Sequence, residues 1–313
     1  MLRRLLLLLL AAWATLASLP PAAAEPVFPP GLRIGLEPPG DARLSRHFPG
    51  FEDPDRKVAI SILDLPAGAY RDIEASFFAK NHPGLEGLKR ESFPFANGIG
   101  FLVSGHGQQN GVTVYKWFLL AKTVAGRVQN LATLIQIEVP KAARSIYTDA
   151  AIRKALASVT FRPAPIQEQL GLLPFKLTEL AGFRVMRVLQ AGGAILTDGP
   201  TDDLTRQAYM IVSVGRGVPA EPGDRGRFAR DLLTSAPVRD LAVQSAEAMR
   251  IIGGPGYEVR ATAKGLNGDA ISLVQWLRFG AGGYLRVIGV SRKNAWDVMF
   301  RRFRAVRDGV DLR

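Results

Sequence analysis

GVTVYKWFLLAKTVAGRVQNLATLIQIEVPKAARSIYTDAAIRKALASVTFR, residues Gly111 to Arg162, reads as strand, turn, strand, polar break, helix and short closing strand. From Val112 to Ala121 apolar side chains occupy both alternating sets, the pattern of an interior strand covered on both faces. Ala125-Gly126 is the turn, Arg127 to Val139 pairs back across it, and Pro140 ends the second strand. Thr148 is placed to cap a helix over Asp149 to Ala157 that buries Ile152, Ala155 and Leu156. Val159 to Arg162 closes the unit.

The same order returns in DAISLVQWLRFGAGGYLRVIGVSRKNAWDVMFRRFRAVRDGVDLR, residues Asp269 to Arg313. A central Trp marks each first strand, Trp117 and Trp276, at an offset of 159 residues. Asn294, with Asp297 three residues later, is expected to cap the last helix, and Trp296, Met299, Phe300 and Phe303 form its apolar stripe. A chain of 313 residues exceeds what one core usually serves, so two domains are expected.

Upstream, the halves run in parallel. GLRIGLEPP (Gly31 to Pro39) opens the first, and FPGFEDPD (Phe48 to Asp55) has the Pro, Gly and Asp content of a turn. A strand follows at Val58 to Leu63, then a helix over Ala67 to Lys80 with Tyr70, Ile73 and Phe77 on one face. Strands at Lys89 to Phe93 and Ile99 to Ser104 are joined by Asn97-Gly98, and GHGQQNG (Gly105 to Gly111) is the next turn. In the second half Gly182 to Gln190 takes the place of GLRIGLEPP, and ILTDGPTDD (Ile195 to Asp203) that of FPGFEDPD. Ala208 to Val214 is the strand, and Asp224 to Thr234 the helix, burying Phe228, Leu232 and Leu233. Strands follow at Leu241 to Ser245 and Tyr257 to Ala263, and KGLNGD (Lys264 to Asp269) matches GHGQQNG. Pro163, Pro165 and Pro174 mark residues 163–180 as a linker. The expected divisions are 1–24, 25–162, 163–180 and 181–313, and the fold class is α+β: two similar domains, each an antiparallel sheet flanked by helices.

Residues 1–24 have the layout of a cleavable secretory signal. Arg3 and Arg4 precede an apolar run from Leu5 to Leu19, Pro20-Pro21 breaks it, and Ala22 to Ala24 supply small residues, so cleavage is expected after Ala24. The apolar run is shorter than a membrane span needs. A periplasmic or secreted location follows. Cysteine is absent, which excludes disulfides, thiol catalysis, Cys-ligated metals and a lipid-anchored cysteine after the signal.

The formal charge is +12. Lys and Arg outnumber Asp and Glu by 17 to 13 in residues 25–165 and by 21 to 15 in residues 166–313, so the excess is spread over both halves. The densest patch is Arg301, Arg302 and Arg304 on the last helix, a candidate binding surface for anionic membrane lipid or polysaccharide by nonspecific attraction. Nucleic acid is not an expected partner, because no basic stripe carries a reading element or stacking aromatics.

Chemical motifs are few. GGPGY (Gly253 to Tyr257) lacks the lysine and hydroxyl of a phosphate loop and reads as a hairpin turn. The acidic clusters Glu52-Asp53-Asp55 and Asp198-Asp202-Asp203 do not match a calcium-loop spacing, and no metal or cofactor is expected. Trp117 and Trp276 read as core. Three histidines, His47, His82 and His106, lie apart with no metal spacing. His106, next to Ser104 in sequence and matched by Lys264 in the second half, is the candidate for catalysis.

The element order, with GLRIGLEPP, FPGFEDPD, the Trp strand and the terminal helix, resembles the PsbP-like fold in each half. That resemblance implies an α/β/α sandwich and an accessory binding or assembly role, with no catalytic motif to transfer. Two functions follow as expectations. One is a non-enzymatic periplasmic module that binds an envelope protein or other periplasmic component. The alternative is a hydrolase or other enzyme with a site in the cleft between the halves.

Overall fold

The computed structural model describes residues 25–79, 85–95, 98–124, 131–189 and 191–313. The expected signal with its cleavage point at Ala24, His82, Asn97, the Ala125-Gly126 turn, the start of the following strand and the Phe77 side chain lie outside the described residues. The chain divides into two compact units, 1–165 and 166–313.

In the first unit the elements are β1 (Ile34–Gly35), β2 (Arg43–Leu44), β3 (Gly50–Asp53), β4 (Val58–Pro66), α1 (Ala69–Ala79), β5 (Glu86–Ser92), β6 (Gly98–Gln109), β7 (Val112–Thr123), β8 (Leu131–Pro140), α2 (Asp149–Ala157) and β9 (Thr160–Phe161). The second holds α3 (Ile166–Gly171), β10 (Phe175–Leu177), β11 (Arg184–Leu189), β12 (Gly193–Thr197), β13 (Tyr209–Arg216), α4 (Arg225–Leu233), β14 (Arg239–Ile251), β15 (Gly254–Lys264), β16 (Ala270–Phe279), β17 (Gly283–Arg292), α5 (Trp296–Asp308) and β18 (Val310–Leu312).

Each unit is built on a seven-stranded sheet, ordered β2-β3-β4-β8-β7-β6-β5 in the first and β11-β12-β13-β17-β16-β15-β14 in the second. The orders are the same, and every pairing within them is antiparallel. Trp117 stands opposite Ser104 and Ile137, and Trp276 opposite Glu258 and Val287, so the two tryptophans occupy one position of one topology.

Helices cover both faces, because both alternating side-chain sets of the interior strands are apolar. In the first unit α2 lays Ile152 and Leu156 on a face made by Phe51, Ile60, Leu102, Trp117 and Ile137. Burying each such aliphatic side chain contributes about 1.5–3 kcal/mol. The opposite face carries Phe101, Val103 and Leu120 under Tyr70 and Ile73 of α1. In the second unit Trp276, Val274 and Val287 face Phe303 and Val306 of α5, and Val259, Leu277 and Phe279 face Ala229 and Leu233 of α4.

The α2 prediction matches in bounds, buried residues and cap: the Thr148 hydroxyl accepts from the Ala151 amide at 3.1 Å. Five expectations change. FPGFEDPD and ILTDGPTDD each contain a strand, β3 and β12, since both stretches hydrogen-bond to the strand that follows. Gly50 is required there, because a Cβ would stand 1.9 Å from the Ile60 carbonyl oxygen. GHGQQNG is mostly strand: β6 runs to Gln109, and the reversal is confined to Asn110 and Gly111, both with positive φ. The counterpart of β1 is β10, which pairs with the closing strand β18 as β1 pairs with β9. Hence α3 and β10 belong to the second unit although their residues fall in the stretch read as a linker, and Gly182 to Gln190 instead contains the edge strand β11. Asn294 lies within a 3-10 turn (Lys293–Ala295) and makes no cap bond to α5.

Burial on the later helices also differs in detail. Gly226, Ala229 and Leu233 are the buried residues of α4, with Phe228 and Leu232 only partly covered. On α5 the buried set is Phe303, Val306 and Arg307, and Trp296, Met299 and Phe300 flank it. Among the described residues no helix is long and apolar enough to cross a membrane.

Candidate functional site

The sheet face under the closing helix carries, beside each tryptophan, a polar and aromatic cluster toward the β5 or β14 edge. In the first unit the Trp117 indole donates to Asp149 Oδ1 at 3.0 Å. Asp149 is the first residue of α2, where the helix N-terminus favours an anion. Arg153, one turn on, bridges Asp149 (2.7 Å) and Glu91 of β5 (2.6 Å). Arg144 lies over the rings of Tyr115 (4.6 Å) and Trp117 (5.1 Å). Burial works to raise the Asp149 pKa, but the hydrogen bonds from Arg153 and Trp117 prevail and hold it below the ordinary carboxylate value. The first unit thus closes this place with its own charges.

In the second unit the Trp276 indole donates to Glu258 on the neighbouring strand, at 2.7 Å. The other oxygen of Glu258 accepts from Arg260 at 2.6 Å, so that carboxylate is engaged on both sides. The Arg260 guanidinium lies over Phe300 at 4.5 Å, and Arg307, buried, lies over Trp276 at 4.8 Å while bonding Asp308. Arg304, exposed, has no charged partner among the described residues. Arg260, Arg304 and Arg307 line a cavity of about 300 Å³ with Glu247, Met249, Glu258 and Phe300. Arg260 is paired with Glu258 and Arg307 with Asp308, which leaves Arg304 as the arginine of this cavity without a charged partner among the described residues. The arrangement suits an anionic group, which Arg binds through planar paired donors.

A larger hollow of about 590 Å³ lies at one end of the first sheet, lined by Asp55, Arg56, Lys57, Val112 and Glu138 among others. Its lining carries two charges of each sign, and Arg56 is held by Asp53 (2.9 Å) and Asp41 (3.0 Å), and Glu138 by Lys116 (2.8 Å), from outside the hollow. Buried Asp53 also accepts from the Tyr147 hydroxyl at 2.8 Å, and this network ties the β3–β4 turn to the segment before α2. Size alone does not make it the better site, since it offers no excess of one charge.

The sequence-derived candidates fall in different places. Arg304 enters the α5 cavity. Arg302 donates to the Ala181 carbonyl (2.8 Å), pairs with Asp198 (3.4 Å) and covers Phe183, so it fastens α5 to its own unit. Arg301, exposed, bonds the Asp297 carbonyl. His106 is on β6, stacked on Tyr115 at 5.7 Å, with Nε2 3.5 Å from the largely exposed Glu86. No hydrogen bond joins it to Ser104, which stands opposite Trp117 two residues back along the strand. Its register counterpart is Arg260 rather than Lys264: each stands two residues beyond the one opposite the tryptophan. Lys264 instead pairs with Asp240 at 2.9 Å. His47 lies beside Glu52 at 3.2 Å. The acidic clusters are engaged by arginines, Asp198 by Arg302 and Asp202 by Arg184, and among the described residues no group of carboxylates and imidazoles has the arrangement of a metal site.

Arg260, Arg307 and Glu258 were not singled out from sequence. A signal exists: Glu258 and Arg260 are two apart on a strand, hence on one face, and Arg307 follows Arg304 by one helical turn.

No family model matches the chain, and no curated protein matches it. Among solved structures, LpqN of Mycobacterium tuberculosis, described as involved in cell envelope biogenesis, is similar at 11% identity and TM-score 0.37 over 44% of this chain and 82% of that one. Cyanobacterial PsbP (CyanoP) from Synechocystis sp. PCC 6803 is similar at 15% identity and TM-score 0.32, over 42% and 82%. The immunity protein TplEi of the T6SS from Pseudomonas aeruginosa is similar at 11% identity and TM-score 0.28, over 92% and 96%. At these identities and TM-scores the likeness carries no inference about activity or partner.

Proposed function

We propose that this chain is an exported, non-enzymatic binding protein made of two PsbP-like domains, one ending near Arg162 and the other beginning near Ile166. Its second domain holds an anionic group of an envelope protein or other periplasmic component in the cavity of Arg260, Arg304 and Arg307. The observation that carries the reading is Arg304, which lines that cavity without a charged partner among the described residues, at a place where the first domain engages Arg153 with both Asp149 and Glu91. Export rests on the composition of residues 1–24.

The test uses the full chain, tagged at its C-terminus and produced in its own host, with a photoreactive phenylalanine analogue replacing Glu247, which lines the cavity. Irradiation is expected to give one discrete adduct in the periplasmic fraction, lost on Arg304→Glu, from a mature protein beginning at Glu25. An adduct that survives Arg304→Glu would overturn the cavity as the binding site. Recovery of the uncleaved chain in the cytoplasm would overturn export.

A further inference from the structure

The strand that borders the arginine cavity is also an open edge. β14 is last in its sheet and pairs only with β15. Its first half is irregular, with register shifts between Arg239 and Ala242 and between Val243 and Ser245. From Ser245 to Ile251 the pairing to Arg260–Gly254 is unbroken, and among the described residues nothing hydrogen-bonds the outer side of this run. The run has no proline, and it includes the small, exposed Ala248. The other edges are blunted. β2 has two residues, β11 is bulged, and β5 carries Glu86, Lys89, Arg90 and Glu91 along seven residues.

We infer that the partner presents an extended acidic segment that adds a strand to the outer edge of Ser245–Ile251 and places a carboxylate in the cavity of Arg260, Arg304 and Arg307. This rests on the anion-binding reading above. A strand paired to β14 stands about 4.8 Å outside it, with every second side chain on the α5 face. Glu247 and Met249 are the β14 residues that line the cavity from that face. An incoming acidic side chain opposite Met249 therefore stands at the mouth of the cavity, whereas one opposite Glu247 meets a like charge. Main-chain pairing supplies affinity, and the Glu247 and Met249 positions select the register of the acid.

The full mature chain is titrated calorimetrically with blocked heptapeptides of alternating Thr and Val carrying a central Glu, a central Lys, or a central Glu with N-methyl groups on the pairing edge. The Glu peptide is expected to bind with unit stoichiometry. Affinity is expected to fall about tenfold or more for the Lys peptide, for the N-methylated peptide and for the Glu peptide against Arg304→Glu. Equal binding of the N-methylated peptide would overturn strand addition and leave the anion cavity standing. Equal binding of the Lys peptide, or of the Glu peptide by Arg304→Glu, would overturn the cavity itself. Absence of binding by all three peptides at millimolar concentration would overturn strand addition. Inorganic sulfate, titrated alone against both proteins, then distinguishes a cavity that binds anions without a strand from one that binds none.

Discussion

The place beside Trp117 and the place beside Trp276 are equivalent in strand order and register, yet one is closed and the other open. In the first unit Asp149 and Glu91 sit on α2 and β5 and draw Arg153 between them, while Trp117 donates to the same aspartate. In the second the carboxylate that receives the tryptophan is on the neighbouring strand, and α5 contributes Arg304 and Arg307, of which Arg307 is paired with Asp308 of the same helix. A second difference lies beneath the helices. Val139 stands opposite Tyr115 in the first sheet, and Gly289 stands opposite Val274 in the second. Phe303 packs directly on Gly289, where an added Cβ would stand 2.6 Å from the ring. The comparison teaches that one topology sets where a site can form, whereas the partners given to one tryptophan set whether that site is filled by the protein itself.

The largest expected effect comes from making the second unit resemble the first at this glycine. Gly289→Val should push Phe303 off the sheet and destabilise the second unit by about 1–3 kcal/mol. Hydrogen exchange should show the loss in 270–292 and spare 112–123, and equal loss in both would contradict packing of α5 on that glycine.

A smaller change should open the closed site. Glu91→Gln with Asp149→Asn leaves Arg153 without a charged partner, and removing two partly exposed ion pairs should cost the first unit about 1 kcal/mol or less. The charge left on Arg153 gives the first unit an anion site of its own, so the stoichiometry of sulfate binding should rise. An unchanged stoichiometry would show that ion pairing is not what closes it.

Acid should separate the units in the same direction. Burial works to raise the pKa of Asp53, but hydrogen bonds from Tyr147 and Arg56 outweigh it and hold it down, as Arg153 and Trp117 hold down Asp149. A depressed folded pKa means stability that is present above the unfolded value, about 3.9, and lost as pH falls through the folded value. The depressed carboxylates Asp203 and Asp240 of the second unit are surface groups bonded to Thr205 and Lys264. Exchange protection in 112–123 should therefore fall before that in 270–279 as pH drops below about 4. The reverse order would break the assignment.

The smallest effect is a null. Arg304→Gln removes an exposed cation without a charged partner among the described residues and should change stability by less than about 0.5 kcal/mol in denaturant unfolding. A clear loss of stability would make Arg304 a structural residue.

How far each feature was legible follows from the range of the interaction behind it. α2 could be read to the residue because its signals, the Thr148 cap and the Ile152, Ala155, Leu156 stripe, act within a few positions. α5 misled at its start, because Asn294 is a good cap by type but the chain enters through a 3-10 turn. β3 and β12 read as turns because Pro, Gly and Asp dominate their composition, and only pairing to β4 and β13 makes them strands. β10, directly after Pro174, was hidden for the same reason, since its partner β18 is 133 residues beyond. Of the site, Arg304 was visible as part of a basic patch. Its company was not, because Arg260 comes from a strand and Arg302, its near neighbour in sequence, turns away to Asp198.

By itself the sequence determined that the chain holds two similar sheet-and-helix units without cysteine, with a tryptophan at the centre of each. Local patterning suffices for that, because strand and helix periods and turn residues are written within a few positions of one another. Only the tertiary structure decided that Trp117 shares its aspartate with Arg153 while Trp276 leaves three arginines around a cavity. Which charges meet across a sheet depends on strand order and helix placement, and pairings over tens of residues leave no local trace.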